Sequence, residues 1–293
     1  MAARDTINRA IADATGETLH DAQWHSVSGG DINQSYRIDD GQRRFFVKLN
    51  DADRLNMFEA EAAGLAEIAA THSLRVPRPI CVGVAEAQAF VVLEYLELHR
   101  HGDAAMLGRQ LAALHQATQP QFGWQRDNTL GSTPQPNAWR ASWVDFLREQ
   151  RLGHQLRLAV ANGYGALLHD AGEKLLSRLD AFFSGYTPQP SLLHGDLWGG
   201  NHAYLADGSP LVFDPATYYG DRECDLAMSE LFGGFAPAFH AAYREAWPLD
   251  PGYAQRRTLY NLYHILNHAN LFGGGYAAQA QAMIARLLAE LGG

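Results

Sequence analysis

The hydrophobic pattern of this chain changes period near residue 97, and that change restricts the fold more than any other feature. Before it, apolar residues alternate in the segments 23–28, 34–39, 44–49, 80–84 and 89–94, which is the period of half-buried strands. Turn signals at Gly29-Gly30 and Asp39-Asp40-Gly41 separate the first three. Helical spacing enters this part only at 5–15 and from Leu55 to about Ala70, after which Pro77 and Pro79 break it. Beyond residue 97 the spacing is helical at 103–118, 138–158, 166–183, 223–232, 237–246, 254–271 and 276–291, with one strand-rich island at 192–213. The pattern predicts an α+β chain of two lobes, a small antiparallel sheet with a helix over 1–97 and a larger, mainly helical lobe over 98–293. At 293 residues and 47% hydrophobic, the chain has material for one large core or two moderate ones.

Composition removes several function classes. The formal charge is 23 − 32 = −9 and the basic residues are scattered, so the footprint of a nucleic-acid binder is missing. Cys81 and Cys224 are far apart and in no metal-ligand or CxxC spacing, which suits a reducing compartment and two buried small hydrophobes. No apolar run approaches the ~20 residues of a membrane span, and residues 1–16 lack a signal-peptide core. The expectation is a cytoplasmic protein with neither membrane nor nucleic acid as partner.

The strand-rich island carries the chemistry. It reads His194-Gly195-Asp196-Leu197-Trp198-Gly199-Gly200-Asn201, then 202–205, a turn at Asp207-Gly208, and 211–213 followed by Asp214. A hairpin through that turn would bring its outer ends together and set Asn201 beside Asp214. Two such oxygen donors form a suitable partial shell for magnesium, a hard cation that takes its remaining ligands from phosphate and water. Asp196, five residues before Asn201 in a glycine-flanked loop, is aimed at the same space. Taken singly, each of the three reads better as a capped turn or solvated loop. Together, the order Asp, Asn at +5 and Asp at +18 matches the catalytic loop and metal-binding Asp of protein kinases. Phosphoryl transfer needs metal ligands, a carboxylate near the attacking hydroxyl, and a cation on the phosphates.

The cation comes from 44–49, where alternation puts Lys48 on the face opposite Val47 and Leu49. On the helix that follows, at about 100° per residue, Glu61 falls within the apolar stripe of Phe58, Ala62, Leu65 and Ile68, whereas Glu59 and Glu67 fall outside it. A carboxylate on a buried face is costly unless paired, and Lys48 is the natural partner. The stretch from Ser28 to Tyr36, with Gly29, Gly30 and Asn33, is the candidate phosphate-covering loop. The clustered Trp139, Trp143, Phe146 and Leu147 repeat at helical intervals and are expected in the core.

These residues resemble the fructosamine kinase (ketosamine kinase) family, within the aminoglycoside phosphotransferase and choline kinase group of the protein-kinase-like fold. The resemblance covers essentially the whole chain. It rests on Gly29-Gly30-Asp31-Ile32-Asn33, Met57-Phe58-Glu59-Ala60-Glu61, Val76-Pro77-Arg78-Pro79 and Phe122-Gly123-Trp124. It continues through Asp127-Asn128-Thr129-Leu130-Gly131-Ser132, Gln135-Pro136-Asn137, Trp143 to Arg151-Leu152, residues 194–201, Asp214-Pro215-Ala216 and residues 218–223. It implies transfer of the ATP γ-phosphate to the 3-hydroxyl of a ketosamine, the adduct that glycation leaves on an amine or lysine, and hence deglycation or repair. By the same resemblance Asp196 accepts the hydroxyl proton, Asn201 and Asp214 hold Mg2+, Lys48 anchored by Glu61 holds the phosphates, and Glu94, Tyr95 and Leu96 meet adenine at a hinge. Proximity and charge add Trp198 as a stacking surface for the sugar, and Asp221 or Glu223 as partners of its ammonium. Some members carry a cysteine in the glycine-rich loop that supports redox-switched dimers; residues 26–37 contain none, so that control is not expected here, while dimers formed by other means stay open and the expectation is a monomer or weak dimer. The alternatives are a kinase for another hydroxylated amine, aminoglycoside or choline-like, and a nucleotide-binding pseudokinase.

Overall fold

The computed structural model describes residues 2–28 and 32–292. The chain divides into two compact units, Met1–Asp103 with His202–Pro215, and Ala104–Asn201 with Ala216–Gly293.

The first unit opens with α1 (Ala2–Thr15) and the strands β1 (Gln23–Val27), β2 (Gln34–Asp39) and β3 (Arg44–Asp51). α2 (Leu55–Ala70), β4 (Pro79–Ala85) and β5 (Gln88–Glu94) follow. The five strands form one antiparallel sheet in the order β1-β2-β3-β5-β4. Alternation along β3 divides its side chains as expected. Phe45, Val47 and Leu49 join Ile7 and Ile11 of α1 in one apolar cluster, leaving Lys48 for the opposite face.

In the second unit come α3 (Ala104–His115), β6 (Asn128–Leu130), β7 (Thr133–Gln135), α4 (Trp143–Phe146), α5 (Gly153–Ala159), α6 (Gly165–Leu176) and β8 (Ser191–Leu193). The chain then returns to the first unit for β9 (His202–Tyr204) and β10 (Pro210–Val212). It finishes in the second with β11 (Tyr218–Gly220), α7 (Glu223–Ser229), α8 (Pro237–Ala246), α9 (Tyr253–Phe272) and α10 (Tyr276–Glu290). Among the described residues no helix is long and apolar enough to cross a membrane.

The units differ from a simple division at residue 97. The β9–β10 hairpin belongs to the first unit because its backbone bonds there: His99 and Tyr204 exchange N–H···O bonds of 2.8 and 2.9 Å, and Val212 N donates to Arg75 O at 3.0 Å. Gly102 permits this, since a Cβ at that position would lie 2.2 Å from the Tyr204 ring. The expected helix over 138–158 instead starts at Trp143, where the Ser142 hydroxyl accepts from Asp145 N at 3.2 Å and caps it. Residues before the cap are extended, with Arg140 bridged to Phe122. Trp139 is therefore no core residue: it is 37% exposed, while Trp143, Phe146 and Leu147 are buried. Two π-helical stretches, Leu147–Leu152 and Val160–Tyr164, lengthen the run, and Gly163 at φ 91° kinks it. The expected helix 166–183 stops at Leu176, giving way to a 3-10 turn at Leu179–Phe183. The β6–β7 hairpin was not expected, because three-residue strands are too short to show a period.

Helices α3 and α8 pack closely in the second unit. A Cβ on Gly108 would sit 2.2 Å from Phe239 O, a backbone atom that cannot swing away. Gly108→Ala is expected to lower stability by about 1–3 kcal/mol through overpacking, read as a lower denaturant midpoint at unchanged m-value.

Candidate active site

In the first unit, Lys48 is 6% exposed and its ammonium lies between two carboxylates, 2.7 Å from Glu61 Oε1 and 2.6 Å from Asp214 Oδ1. Burial alone would discharge this lysine, but the charges of Asp214 and Glu61 outweigh it and raise its pKa above the ordinary value. Burial pushes the Glu61 carboxyl up; Lys48 opposes that shift and the negative charge of Asp214 reinforces it. Asp214 follows the β9–β10 hairpin, whose register pairs His202 with Val212. Its backbone adopts the left-handed conformation, φ 56°, uncommon outside glycine and tolerated best by Asp and Asn. Its side chain is half exposed, and Oδ2 takes no hydrogen bond from the described residues.

The other residues expected to contact nucleotide lie in the same unit. Asn50 on β3 donates to Ile32 O at 3.1 Å and to Asn33 Oδ1 at 2.7 Å, tying the end of the candidate loop to the strand that carries Lys48. Gly29 and Gly30 fall outside the described residues. Glu94 ends β5, its carboxylate accepting from Arg75 at 2.6 Å and from Arg78 N at 3.2 Å. The chain then leaves the sheet through half-buried Tyr95 and Leu96.

The second unit holds the loop from His194 to Asn201. Asn201 Nδ2 donates to Asp196 O at 2.9 Å and to Asp196 Oδ2 at 3.0 Å, which leaves the Asn201 carbonyl oxygen available as an acceptor. Gly195, at φ 83°, lies so close to Ala216 that a Cβ would stand 2.1 Å from Ala216 O. Trp198 is 39% exposed, and its indole passes over Gly200, where a Cβ would meet the ring at 2.4 Å.

Asp221 and Glu223, read from sequence as partners for a substrate ammonium, are both fully buried. Asp221 accepts from Tyr260 at 2.5 Å, Tyr186 at 3.0 Å and Glu223 N at 3.0 Å. Glu223 makes a bidentate pair with Arg256 at 2.7 and 3.0 Å, and burial holds its carboxyl up at about 7 against that cation. Their charge serves the interior of the unit, and neither offers an ammonium an exposed oxygen.

The carboxylate that sequence reasoning missed is Asp225, one helical turn further on. It is buried, and it accepts from His194 N at 2.7 Å, Gly195 N at 2.8 Å and His115 Nε2 at 3.1 Å. Burial works to raise its pKa, but the bond and charge of His115, the charge of His194 and the Gly195 N–H bring it below the ordinary value. Asp225 thus grips the two residues that precede Asp196. The available signal was the density of Asp221, Glu223 and Asp225 at one helix start, more carboxylates than a helix terminus needs.

With this geometry in place, comparison shows what class of protein it is. The fold is that of the protein-kinase-like phosphotransferases: the aminoglycoside phosphotransferase APH(4)-Ia superposes with a TM-score of 0.61 at 14% identity, over 99% of this chain and 100% of that one. A fructosamine-3-kinase candidate from Haemophilus somnus 129PT superposes with a TM-score of 0.90 at 32% identity, over 96% of both chains. The sequence profile of the family described as fructosamine kinase matches residues 3–290, and this chain belongs to that family. Its relatives include a Synechocystis protein named probable ketoamine kinase, 52% identical over 97% of this chain and 96% of that one. Another is the chloroplastic protein-ribulosamine 3-kinase of Oryza sativa subsp. indica, 43% identical over 88% of this chain and 77% of that one.

Behind the Asp225 clamp, His264 of α9 is buried, and desolvation together with the charge of His268 lowers its pKa from 6.5 to about 3. The folded state therefore refuses a proton that the unfolded chain takes up below about pH 6.5. Its contribution is complete above pH 6.5 and is lost as pH falls toward 3. Denaturant titrations between pH 5.5 and 4 should show a stability slope shallower by about 1.4 kcal/mol per pH unit in His264→Phe than in the wild type.

Proposed function

We propose that this protein is an ATP-dependent kinase that phosphorylates the 3-hydroxyl of a ketosamine, a fructosamine- or ribulosamine-type glycation adduct, and so acts in deglycation or repair. The observation that carries the kinase reading is the buried Lys48 ammonium held between Glu61 and Asp214, at 2.7 and 2.6 Å. A lysine so placed has the fixed charge and orientation needed to hold phosphates. The substrate half draws on relatives that are named for ketoamines and ribulosamines.

In this reading residues 1–97 form the nucleotide-binding lobe and 98–293 the catalytic and substrate-binding lobe. Lys48, braced by Glu61, holds the phosphates, Gly29, Gly30 and Asn33 belong to the loop that covers them, and Glu94 to Leu96 meet the adenine. Asp196 accepts the proton of the attacking hydroxyl, with Asn201 Nδ2 fixing the orientation of its carboxylate. The oxygens left over, Asn201 Oδ1 and Asp214 Oδ2, suit a hard divalent cation, so these two residues would hold magnesium. Bound there, magnesium neutralises phosphate charge. The exposed indole of Trp198, two residues from Asp196, offers the sugar a stacking surface. The free thiols of Cys81 and Cys224 support a cytoplasmic setting, with the protein a monomer or weak dimer.

The test follows ADP release with ATP and magnesium on ribulose-, erythrulose- and fructose-lysine, with choline and an aminoglycoside as competitors for the assignment. Turnover of a ketosamine is expected, falling on the order of 10²- to 10⁴-fold in Asp196→Asn. Trp198→Ala is expected to raise the ketosamine KM while leaving the ATP KM in place. Turnover of choline or the aminoglycoside alone would remove the substrate assignment; ATP binding without turnover of anything would favour a pseudokinase.

A further inference from the structure

The segment 127–137 contains no group that the proposed mechanism uses, yet it buries an unusual amount of polar chemistry. Asn128, Gln135 and Asn137 are 8%, 0% and 0% exposed on and beside the β6–β7 hairpin. Gln135 Nε2 donates to Ala216 O at 3.1 Å and to Asn128 Oδ1 at 2.8 Å, and Asn128 Nδ2 donates to Thr217 O at 2.8 Å. The cluster is backed on its far side. Tyr263 donates to Gln135 Oε1 at 2.7 Å, Asn137 Nδ2 to Asn128 Oδ1 at 2.9 Å, and Arg151 to Asn137 Oδ1 at 2.6 Å.

Buried amides are costly to desolvate, and apolar side chains of similar size would fill the same space at less cost. What apolar groups cannot do is hold two consecutive main-chain carbonyls in place. The residue so held, Ala216, is the immediate neighbour of the loop that carries Asp196. Ala216 N donates to His194 O at 2.9 Å, and Ala216 O presses on Gly195 so closely that only glycine fits. Asp225 grips the N–H groups of the same two residues. The stretch before Asp196 is thus held by Asp225 through its N–H groups and by Ala216 through the His194 carbonyl. Ala216 takes its own position from Gln135, with Asn128 holding Thr217 beside it.

We infer that Gln135 and Asn128 are positioning residues for Asp196: the β6–β7 hairpin is a cradle that sets the loop of the general base through Ala216 and Thr217. The inference rests on the reading of Asp196 as the base. Removing the amide donors lets the loop relax by a fraction of an ångström, enough to cost rate at the reacting hydroxyl without touching the nucleotide.

The experiment compares kcat and KM in Gln135→Met, Gln135→Glu and Gly108→Ala. Gln135→Met keeps the length and loses the donor, whereas Gln135→Glu, protonated between its acceptors, restores one; Gly108→Ala destabilises the same unit at the contact of α3 with α8, outside the cradle. Gln135→Met is expected to lose kcat on the order of 10-fold or more with the ATP KM changed less than about 2-fold, and Gln135→Glu to recover part of that loss. Gly108→Ala is expected to keep its kcat at a temperature where it remains folded. If Gln135→Met does not fold, Asn128→Leu, which keeps the size and loses the donor to Thr217 O, is read in the same way. A kcat loss no larger than that of Gly108→Ala, or one matched by a rise in the ATP KM, would overturn the inference. Asp196→Asn separates the two readings. Wild-type kcat in that variant removes the base and this inference with it, whereas its inactivity beside an unimpaired Gln135→Met removes the inference alone.

Discussion

A lysine ammonium taken out of water must be paired, and the architecture of the first unit follows from the way Lys48 meets that requirement. Strand β3 must present its apolar residues to α1 so that Lys48 faces the other way, and α2 must turn Glu61 toward it. The chain must also come back, over 150 residues later, to deliver Asp214. Three segments distant in sequence are bound by one buried charge. Losing Glu61, the buried carboxylate, leaves Lys48 poorly compensated, at a typical cost of about 3–5 kcal/mol for a broken buried pair. The same ammonium is the group the proposed chemistry needs, so the interaction that orders the unit also prepares it to receive phosphates.

The second unit solves a different problem with similar means. Asp225, His115 and Tyr243 form one buried polar group, Arg256, Glu223 and Asp221 another, and Asn128, Gln135, Asn137 and Arg151 a third. The first and third bond the loops beside the short strands β8 and β11, and the second anchors Asp221, the residue that follows β11. Those strands are three residues long, and pairing alone would leave the segments 194–195 and 216–217 poorly determined. Charged and amide side chains replace the missing ladder, bonding main-chain groups directly.

The residues of the site were legible to different degrees. Asp196, Asn201 and Asp214 stood out by spacing, and the pairing of Lys48 with Glu61 followed from strand alternation and a helical stripe, both local periodicities. Asp221 and Glu223 were misread because charge and proximity to the loop say nothing about burial. Asp221 turns inward to Tyr186 and Tyr260 and Glu223 inward to Arg256, contacts made across 30 residues or more of chain. Trp139 looked like core because it continues a helical interval from Trp143, but the Ser142 cap ends the helix between them.

What the sequence determined by itself is the α+β class, most elements of the sheet unit, the long helices and the run of chemical groups from Asp196 to Asp214. Each of these depends on residues within one turn, one strand or one loop of each other. The tertiary structure alone decided that the β9–β10 hairpin joins the first unit, that Asp225 holds the loop before Asp196, and that the short hairpin at 128–135 supports Ala216 and Thr217. Those contacts link positions 30 to 100 or more residues apart, and a hydrogen bond over that span leaves no period in the chain that makes it.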